Sequence, residues 1–240
     1  MKKLFLIFLA LPFLISCDKE KEQEQDRGIV VNNKLMQQNL LIMYDKNKDG
    51  ILSKEEALEV KEIIVTNSYE PIDGLENFPN IELIDVTLSY FSELDVSMCT
   101  KLKKLFCRQN KLKMLDLRAN SGLEILECYD GKLEYIDVSG LKNLNSINCA
   151  DNKIKFLDIK NTPNLRLMAC YNNKLMHLYL DSSPQLKELL CDENLFKELD
   201  ISKNNNLTNF YCNGLEVLYM KEGQTIQYFR VSGSTKIVYK

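Results

Sequence analysis

The chain has 240 residues, of which 45% are hydrophobic and 27% are charged, a composition typical of a folded protein with one large or two small domains. Its 31 basic and 34 acidic side chains give a formal charge of −3, which argues against a general nucleic-acid-binding protein. A single histidine leaves little room for histidine-based metal sites or acid/base catalysis, so the composition disfavours an enzyme.

The first residues have the pattern of an export signal. Lys2 and Lys3 precede a short apolar stretch, residues 4–14, that is too short for a stable membrane span. A small residue followed by Cys17 ends the stretch, and this ending resembles the lipobox of bacterial lipoproteins, in which the cysteine becomes the lipid-modified N-terminus. We therefore expect residues 1–16 to be a lipoprotein signal peptide and Cys17 to be a membrane anchor. A plain secretory signal with an incidental cysteine is the alternative.

Residues 17–31 are predicted to form the lipidated cysteine and a charged tether. Residues 18–27 contain no apolar side chain that folding would bury, so they should remain solvated. An acidic run directly after a lipid-modified cysteine also resembles the signal that sends Bacteroidetes lipoproteins to the cell surface. The expected location is therefore the outer membrane or cell surface, with a simple spacer as the alternative reading of the run.

A calcium-binding loop is predicted between residues 45 and 56. Oxygen-bearing side chains alternate at its start, Gly50 stands where a sharp turn is needed, and a glutamate closes it, which is the spacing of an EF-hand loop. A hard cation takes about seven oxygen ligands, so these side chains must converge from alternate positions. Ile51 would contribute its backbone carbonyl and Ser53 would act through water. The predicted Ca²⁺ ligands are Asp45, Asn47, Asp49, Ile51, Ser53 and Glu56.

The flanks of this loop favour a small EF-hand-like helix-loop-helix cap over residues 32–65. Apolar residues recur every three to four positions before the loop, and the capping pattern that begins at Ser53 starts a second helix, predicted to continue through Lys61. EF-hand loops usually pair, and no second loop is present, so another element must brace this one. The alternative is a metal-free helical turn that has kept its acidic residues. A turn at residues 66–80 is expected to lead into the next segment.

From residue 81 onward, cysteines recur at a constant interval of 21 residues, at Cys107, Cys128, Cys149, Cys170, Cys191 and Cys212. Self-similarity at a fixed period indicates a repeat protein. Each unit holds two apolar segments, LxxLxC and LxxLDL, separated by a polar xxNx. Twenty-one residues cannot contain two strands and a helix, so each coil should be strand, turn, strand, turn. Seven turns are counted over residues 81–222, and residues 223–240 alternate in a way that predicts one or two capping strands.

This repeat resembles the leucine-rich repeat family, in particular the bacterial subclass written LxxLxCxxNxLxxLDLxxNxx. The resemblance covers residues 81 to about 220 and implies a mainly β leucine-rich repeat solenoid with two short strands per coil. In surface proteins of that family an EF-hand-like helical segment often precedes the repeats, as it does here. The resemblance further implies a non-catalytic module that binds protein or glycan.

Three columns of equivalent residues have structural interpretations. The cysteine column should be a buried ladder of free thiols, because stacked coils bring equivalent side chains close together in the slot that leucine fills in other repeats. Three disulfides, or a thiolate metal array, are the alternatives. Inward asparagines in the xxNx segment should satisfy backbone groups at each corner, and the aspartates of LxxLDL should cap turns or, alternatively, hold a cation. Cys99 lies outside the column and has no assigned role.

Ligand contacts are predicted on the outward positions beside the first strand, because aromatic residues and arginine are enriched in interfaces. A second stripe, which includes Tyr135, Phe156 and His177, is the alternative face, and scattered surface apolar residues are the simplest alternative. The leading function is a surface lipoprotein, not an enzyme, that binds an unidentified protein or glycan and Ca²⁺. A calcium-dependent structural component of a larger surface assembly is the runner-up. The predicted partner-binding residues are Phe106, Arg108, Tyr129, Tyr171, Asp192 and Tyr211.

Overall fold

A computed structural model describes residues 28–240. The predicted signal peptide, Cys17 and most of the predicted tether lie outside these residues. The end of the predicted tether is part of the fold, since the Ile29 amide donates to the Leu52 carbonyl at 2.7 Å and Val31 is buried. Across the described range, no helix has both the length and the apolar character needed to cross a bilayer.

The described chain contains two helices, a 3₁₀ turn and fifteen short strands. The helices are α1 (Lys34–Tyr44) and α2 (Lys54–Ala57), and the 3₁₀ turn is Leu75–Asn77. The strands are β1 (Glu62–Ile64), β2 (Leu83–Asp85), β3 (Lys104–Phe106), β4 (Met114–Leu115), β5 (Ile125–Glu127), β6 (Tyr135–Asp137), β7 (Ser146–Asn148), β8 (Leu157–Asp158), β9 (Leu167–Ala169), β10 (Glu188–Leu190), β11 (Glu198–Asp200), β12 (Asn209–Cys212), β13 (Val217–Met220), β14 (Tyr228–Val231) and β15 (Lys236–Tyr239).

All strand pairs are parallel, and they form one long sheet and two short ones. The long sheet has nine strands in the order β1-β2-β3-β5-β7-β9-β10-β12-β14. The opposite side of the molecule carries the three-stranded sheets β4-β6-β8 and β11-β13-β15. Each coil therefore places its first strand in the long sheet, and most coils place a second strand in a short one. This winding confirms the predicted strand-turn-strand-turn solenoid.

The repeat length sets the register of the long sheet. Leu105 pairs with Leu126, and Leu126 with Ile147, which are steps of 21 residues. The last coils are two residues shorter, so Phe210 pairs with Phe229. The middle residue of most strands points inward and is buried, because side chains alternate between the two faces of a strand. These inward residues, together with the cysteines, form one continuous apolar core between the sheets.

The solenoid begins one coil earlier than the sequence indicated. Residues 62–64 form β1, and Ile63 pairs with Ile84 of β2, so the first coil lies inside the segment predicted as helical cap and lead-in turn. The second helix ends at Ala57 and does not continue through Lys61. Ile63 and Val65 are buried on either side of the exposed Ile64, which is the alternation of a strand, and β-branched residues favour strands. The predicted start at residue 81 was therefore wrong, and the solenoid has about eight turns.

The two ends of the solenoid differ. Helix α1 covers the N-terminal end, with Met36 and Leu40 buried against the first coil. At the other end, β14 and β15 each extend one sheet by a strand, as predicted for residues 223–240. Phe229 and Ile237 occupy core register positions but are 38% and 36% exposed, because no further coil of the described chain covers them.

Candidate functional site

Side-chain to backbone hydrogen bonds wind the predicted calcium loop. The two carboxylate oxygens of Asp45 accept from the amides of Lys48 and Gly50 at 2.7 and 2.9 Å. Asn47 and Asp49 each accept from the amide two residues further along. Lys48 and Gly50 have positive φ, which allows the tight curve and explains the glycine. The oxygen-bearing side chains thus turn toward the loop backbone.

Glu56 joins the start of this loop to its end. One carboxylate oxygen accepts from the Lys46 amide at 2.8 Å, and the other accepts from the Ser53 amide at 3.0 Å and from the Ser53 hydroxyl at 2.8 Å. The Ser53 side chain in turn accepts from the Glu56 amide, so the predicted capping box is present. The backbone N–H groups of Ser53 and Lys46 lower the pKa of Glu56, because they stabilise its charged form.

The donor set of the loop fits a hard cation in its chemistry. All the predicted ligands offer oxygen, which is what Ca²⁺ requires. Over residues 28–240, however, no three acidic, histidine or cysteine side chains come together as a preformed metal cluster. The carboxylates of Asp45, Asp49 and Glu56 instead bind loop amides. The loop therefore carries oxygen donors of the kind that Ca²⁺ prefers, but its charged groups do not converge on a common point.

On the long sheet, the predicted partner-binding residues lie on the outward face and are half-buried by their neighbours in adjacent coils. Arg108 is the centre of this surface. Its guanidinium lies 5.4 Å from the Phe106 ring and 6.0 Å from the Tyr129 ring, within reach of cation–π attraction. It pairs with Glu127 at 3.3 Å and with Asp85 at 3.6 Å. One arginine therefore ties three consecutive coils together and holds two aromatic rings in place.

The remaining predicted residues extend from this centre along the sheet. Tyr129 and Tyr171 flank Ala150, which is completely buried although it stands in the outward column. Burial raises the pKa of Tyr171, and Asp151 contributes to the shift. The Asp192 carboxylate accepts from the Asn213 amide at 2.5 Å, so part of its hydrogen-bonding capacity is used within the fold. Phe106, Arg108 and Tyr129 thus come together as a cluster, whereas Asp192 and Tyr211 lie further along the sheet.

The alternative stripe on the opposite side is more exposed. Met114, Tyr135 and Phe156 are 67%, 42% and 50% exposed. A shallow cleft of about 640 Å³ opens beside β4, lined by this strand, by residues 92–94 and by Tyr135 and Asp137. His177 is exposed and stacks on Tyr179 at 6.2 Å. Residues 178–180 form no strand. This gap separates the two short sheets, and Tyr179 lies within it.

The cysteine column is a structural feature of the core. Every cysteine from Cys99 to Cys212 is a buried free thiol, which confirms the predicted ladder for residues 28–240. Burial raises the pKa of the Cys149 thiol to about 12. Cys99, whose role the sequence left open, occupies the same slot of the repeat as Asn120, at the corner between the second strand and the next coil. Burial also raises the pKa of Cys99, to about 11.

The polar columns satisfy backbone groups at the corners. Asn152, Asn173 and Asn194 each donate to carbonyls of their own and the preceding coil, which confirms their predicted role. The aspartates of LxxLDL each accept from the amide two residues later, as the turn-capping interpretation predicted. Sequence reasoning missed two further asparagines, Asn120 and Asn204, at the corners that follow the second strand. Their side-chain amides donate to backbone carbonyls of the preceding coil.

The chain matches no protein-family model and no curated protein sequence. Several solved structures are similar to it. An internalin from Listeria monocytogenes aligns with a TM-score of 0.71 at 16% identity, over 85% of this chain and 70% of its own. YopM, a leucine-rich effector protein from Yersinia pestis, aligns with a TM-score of 0.62 at 21% identity, over 86% of this chain and 56% of its own.

The functional domain of InlJ from Listeria monocytogenes, described as including a cysteine ladder, aligns at 25% identity with a TM-score of 0.52. The alignment covers 71% of this chain and 46% of the InlJ chain, so this chain spans about half of that protein. Together these likenesses show that the chain adopts the leucine-rich repeat solenoid fold.

Proposed function

We propose that this leucine-rich repeat solenoid is a binding module that captures a protein partner on the outward face of its long sheet. The observation that carries the proposal is the Phe106, Arg108 and Tyr129 cluster, in which the guanidinium contacts both rings and pairs with Asp85 and Glu127. Aromatic and arginine side chains dominate the energy of typical interfaces, and preorganised ones lose little conformational entropy on binding. Tyr171, two coils away, extends the surface by about 10 Å along the sheet.

We further propose that the module is anchored at the cell surface through Cys17 and that its loop at residues 45–56 binds Ca²⁺. Export and lipidation rest on the pattern of the first seventeen residues. Calcium binding rests on the oxygen donor set and on the winding of the loop. Asp45, Asn47, Asp49 and Glu56 would supply side-chain oxygens, Ile51 a carbonyl, and Ser53 a water-mediated contact. The bound ion would brace the cap that covers the first coil.

Paired aromatic replacements test the binding face. Tyr129→Ala/Tyr171→Ala removes two anchors of the long sheet, and Tyr135→Ala/Phe156→Ala removes two exposed rings of the opposite face as a matched control. Partners are captured from the native envelope by cross-linking, identified by mass spectrometry, and then titrated in purified form. We expect the first variant to bind the purified partner at least about tenfold more weakly and the control to bind normally, with both keeping the wild-type melting temperature. The reverse pattern would move the binding face to the Tyr135 and Phe156 stripe.

The runner-up function is a calcium-dependent structural component of a larger surface assembly, and the single metal loop at the cap favours it. Chelation separates the two functions. A partner held by the long sheet should remain bound after Ca²⁺ removal, because the Arg108 cluster does not contact the loop. An assembly that depends on the loop should dissociate.

A further inference from the structure

Four lysines occupy the same position in four consecutive coils, directly after the asparagine slot. They are Lys111, Lys132, Lys153 and Lys174, and all are exposed. The Lys153 amide donates to the Leu133 carbonyl at 2.8 Å, and the Lys174 amide donates to the Ile154 carbonyl at 2.9 Å, so the backbone holds the coils in register here. Neighbouring lysines are therefore about 4.8 Å apart at the backbone and form a straight row along the solenoid axis. We call it the lysine row.

Among the residues that the structure describes, the charges of the lysine row have no acidic partner. Within residues 28–240, the ammonium groups of Lys132, Lys153 and Lys174 make no ion pair or hydrogen bond, and that of Lys111 contacts only the Tyr90 ring. The nearby carboxylates of Asp130 and Asp151 accept from the amide side chains of Gln109 and Asn172 instead.

Other lysines of the solenoid behave differently. Lys103 pairs with Glu82 at 2.7 Å, and Lys203 pairs with Asp181 at 3.0 Å, in each case across adjacent coils. Stacked coils thus readily bring opposite charges together, and the lysine row instead brings like charges together. Like charges at this spacing repel, so an anion lying along the row would be attracted by several ammonium groups at once.

Two tyrosines continue the same column toward the N-terminal end. The rings of Tyr69 and Tyr90 stack with centroids 4.4 Å apart and planes within 1°. The Lys111 ammonium lies 5.2 Å from the centre of the Tyr90 ring, so the side chains of the column project side by side. Tyr69 is 73% exposed and presents an open aromatic face beside a line of positive charge. Aromatic faces of this kind stack against the apolar faces of sugar rings.

We propose that the lysine row and the two tyrosines bind a linear acidic polysaccharide that carries one carboxylate on each sugar. In such a polymer the charges repeat at about the length of one sugar, which is comparable with the coil spacing, so an extended chain along the row brings several carboxylates within reach of the lysine side chains. Asp130, Asp151 and Glu134 lie within two residues of the row in sequence and repel any polyanion, so they leave this surface too little net positive charge for a densely charged polymer such as a nucleic acid. This surface is separate from the long-sheet face and does not depend on the proposed capture of a protein partner.

Binding of polygalacturonate tests this inference, with fully methyl-esterified polygalacturonate as an uncharged probe of the same backbone. Titrations use the complete folded chain at about 50 mM salt with EDTA, so that Ca²⁺ cannot cross-link the polymer. Lys132→Gln/Lys153→Gln removes two charges from the row. Lys142→Gln/Lys187→Gln is the matched control, because these lysines are exposed, lie outside the row and make no side-chain ion pair or hydrogen bond within residues 28–240.

We expect the wild type and the control variant to bind polygalacturonate within about twofold of each other, and the row variant to bind at least about tenfold more weakly with a shallower salt dependence. Tyr69→Ala should weaken binding of polygalacturonate but not of inorganic polyphosphate. The proposal is overturned if the wild type does not bind polygalacturonate, if the ester binds equally well, or if the row and control variants lose affinity alike. Tighter binding of single-stranded DNA than of polygalacturonate would also overturn it.

Discussion

The side-chain amide of Asn173 donates to the main-chain carbonyl of Cys149, in the preceding coil, at 3.0 Å. The same side chain accepts from the Ile154 amide at 2.9 Å and donates to the carbonyl of Cys170 in its own coil. Asn173 is buried, so water cannot replace these bonds. One side chain thus satisfies backbone groups of two coils at a corner where the strands have ended.

Replacing Asn173 by alanine should therefore lower the free energy of unfolding by about 3 kcal/mol, because buried backbone groups lose their partners. Asn143→Ala is the matched control, since Asn143 is exposed and its side chain makes no hydrogen bond within the described residues. The control should change stability by less than about 0.5 kcal/mol. Urea unfolding followed by circular dichroism measures both, and equal losses would show that the corner bonds contribute little.

The thiols from Cys99 to Cys212 should be inert in the native protein. Burial holds the pKa of Cys149 near 12, so its nucleophilic thiolate is scarcely populated at pH 8. We expect no reaction of these seven thiols with Ellman's reagent in buffer and full reaction in guanidinium chloride. A mass two daltons lower for each cysteine pair in the untreated protein would instead reveal disulfides.

Calcium should raise the melting temperature of the wild type, because an ion that binds only the native loop stabilises it. A single unpaired loop with three carboxylates predicts weak affinity, about 10⁻⁵ to 10⁻³ M. Glu56→Gln should lose most of the calorimetric heat of binding, whereas Glu59→Gln, outside the loop, should retain it. Equal heats for Glu56→Gln and wild type would contradict the assignment of the ligands.

Without calcium, the Glu56 carboxylate should make the stability of the fold depend on pH. The pKa of Glu56 is lowered in the folded state, so its stabilising contribution is complete above the ordinary glutamate value and is lost as the pH falls through the folded value. Melting temperatures of wild type and Glu56→Gln, measured in EDTA, should differ most near pH 7 and converge below about pH 4. A difference that stays constant over this range would contradict the prediction.

Lipidation of Cys17 should determine where the protein is found. Cys17→Ala should move the protein from the membrane fraction to the soluble fraction of cells that express the complete chain. Lys21→Ala, within the predicted tether, should leave it in the membrane fraction. Unchanged membrane association of Cys17→Ala would disprove the anchor.

Much of this fold can be read from the repeat itself. The interval of 21 residues and the alternation of apolar residues predicted the solenoid, the inward cysteines and the asparagine corners, because each coil repeats the same local pattern. Side chains alternate across a strand, so the pattern alone decides which residues face the core. The same regularity placed Phe106, Arg108 and Tyr129 on one outward face.

Contacts between coils decided the features that the repeat pattern leaves open. Residues 60–65 fit the end of a helix or a buried strand, and only pairing with β2 makes them a strand. Exposure of outward residues depends on neighbours 21 residues away, which is why Ala150 is buried and why Arg108 is held by partners in two other coils. The lysine row is present in the sequence, but its lack of acidic partners in the described part of the chain emerges only once the coils are stacked, because ion pairing is decided by distance in space.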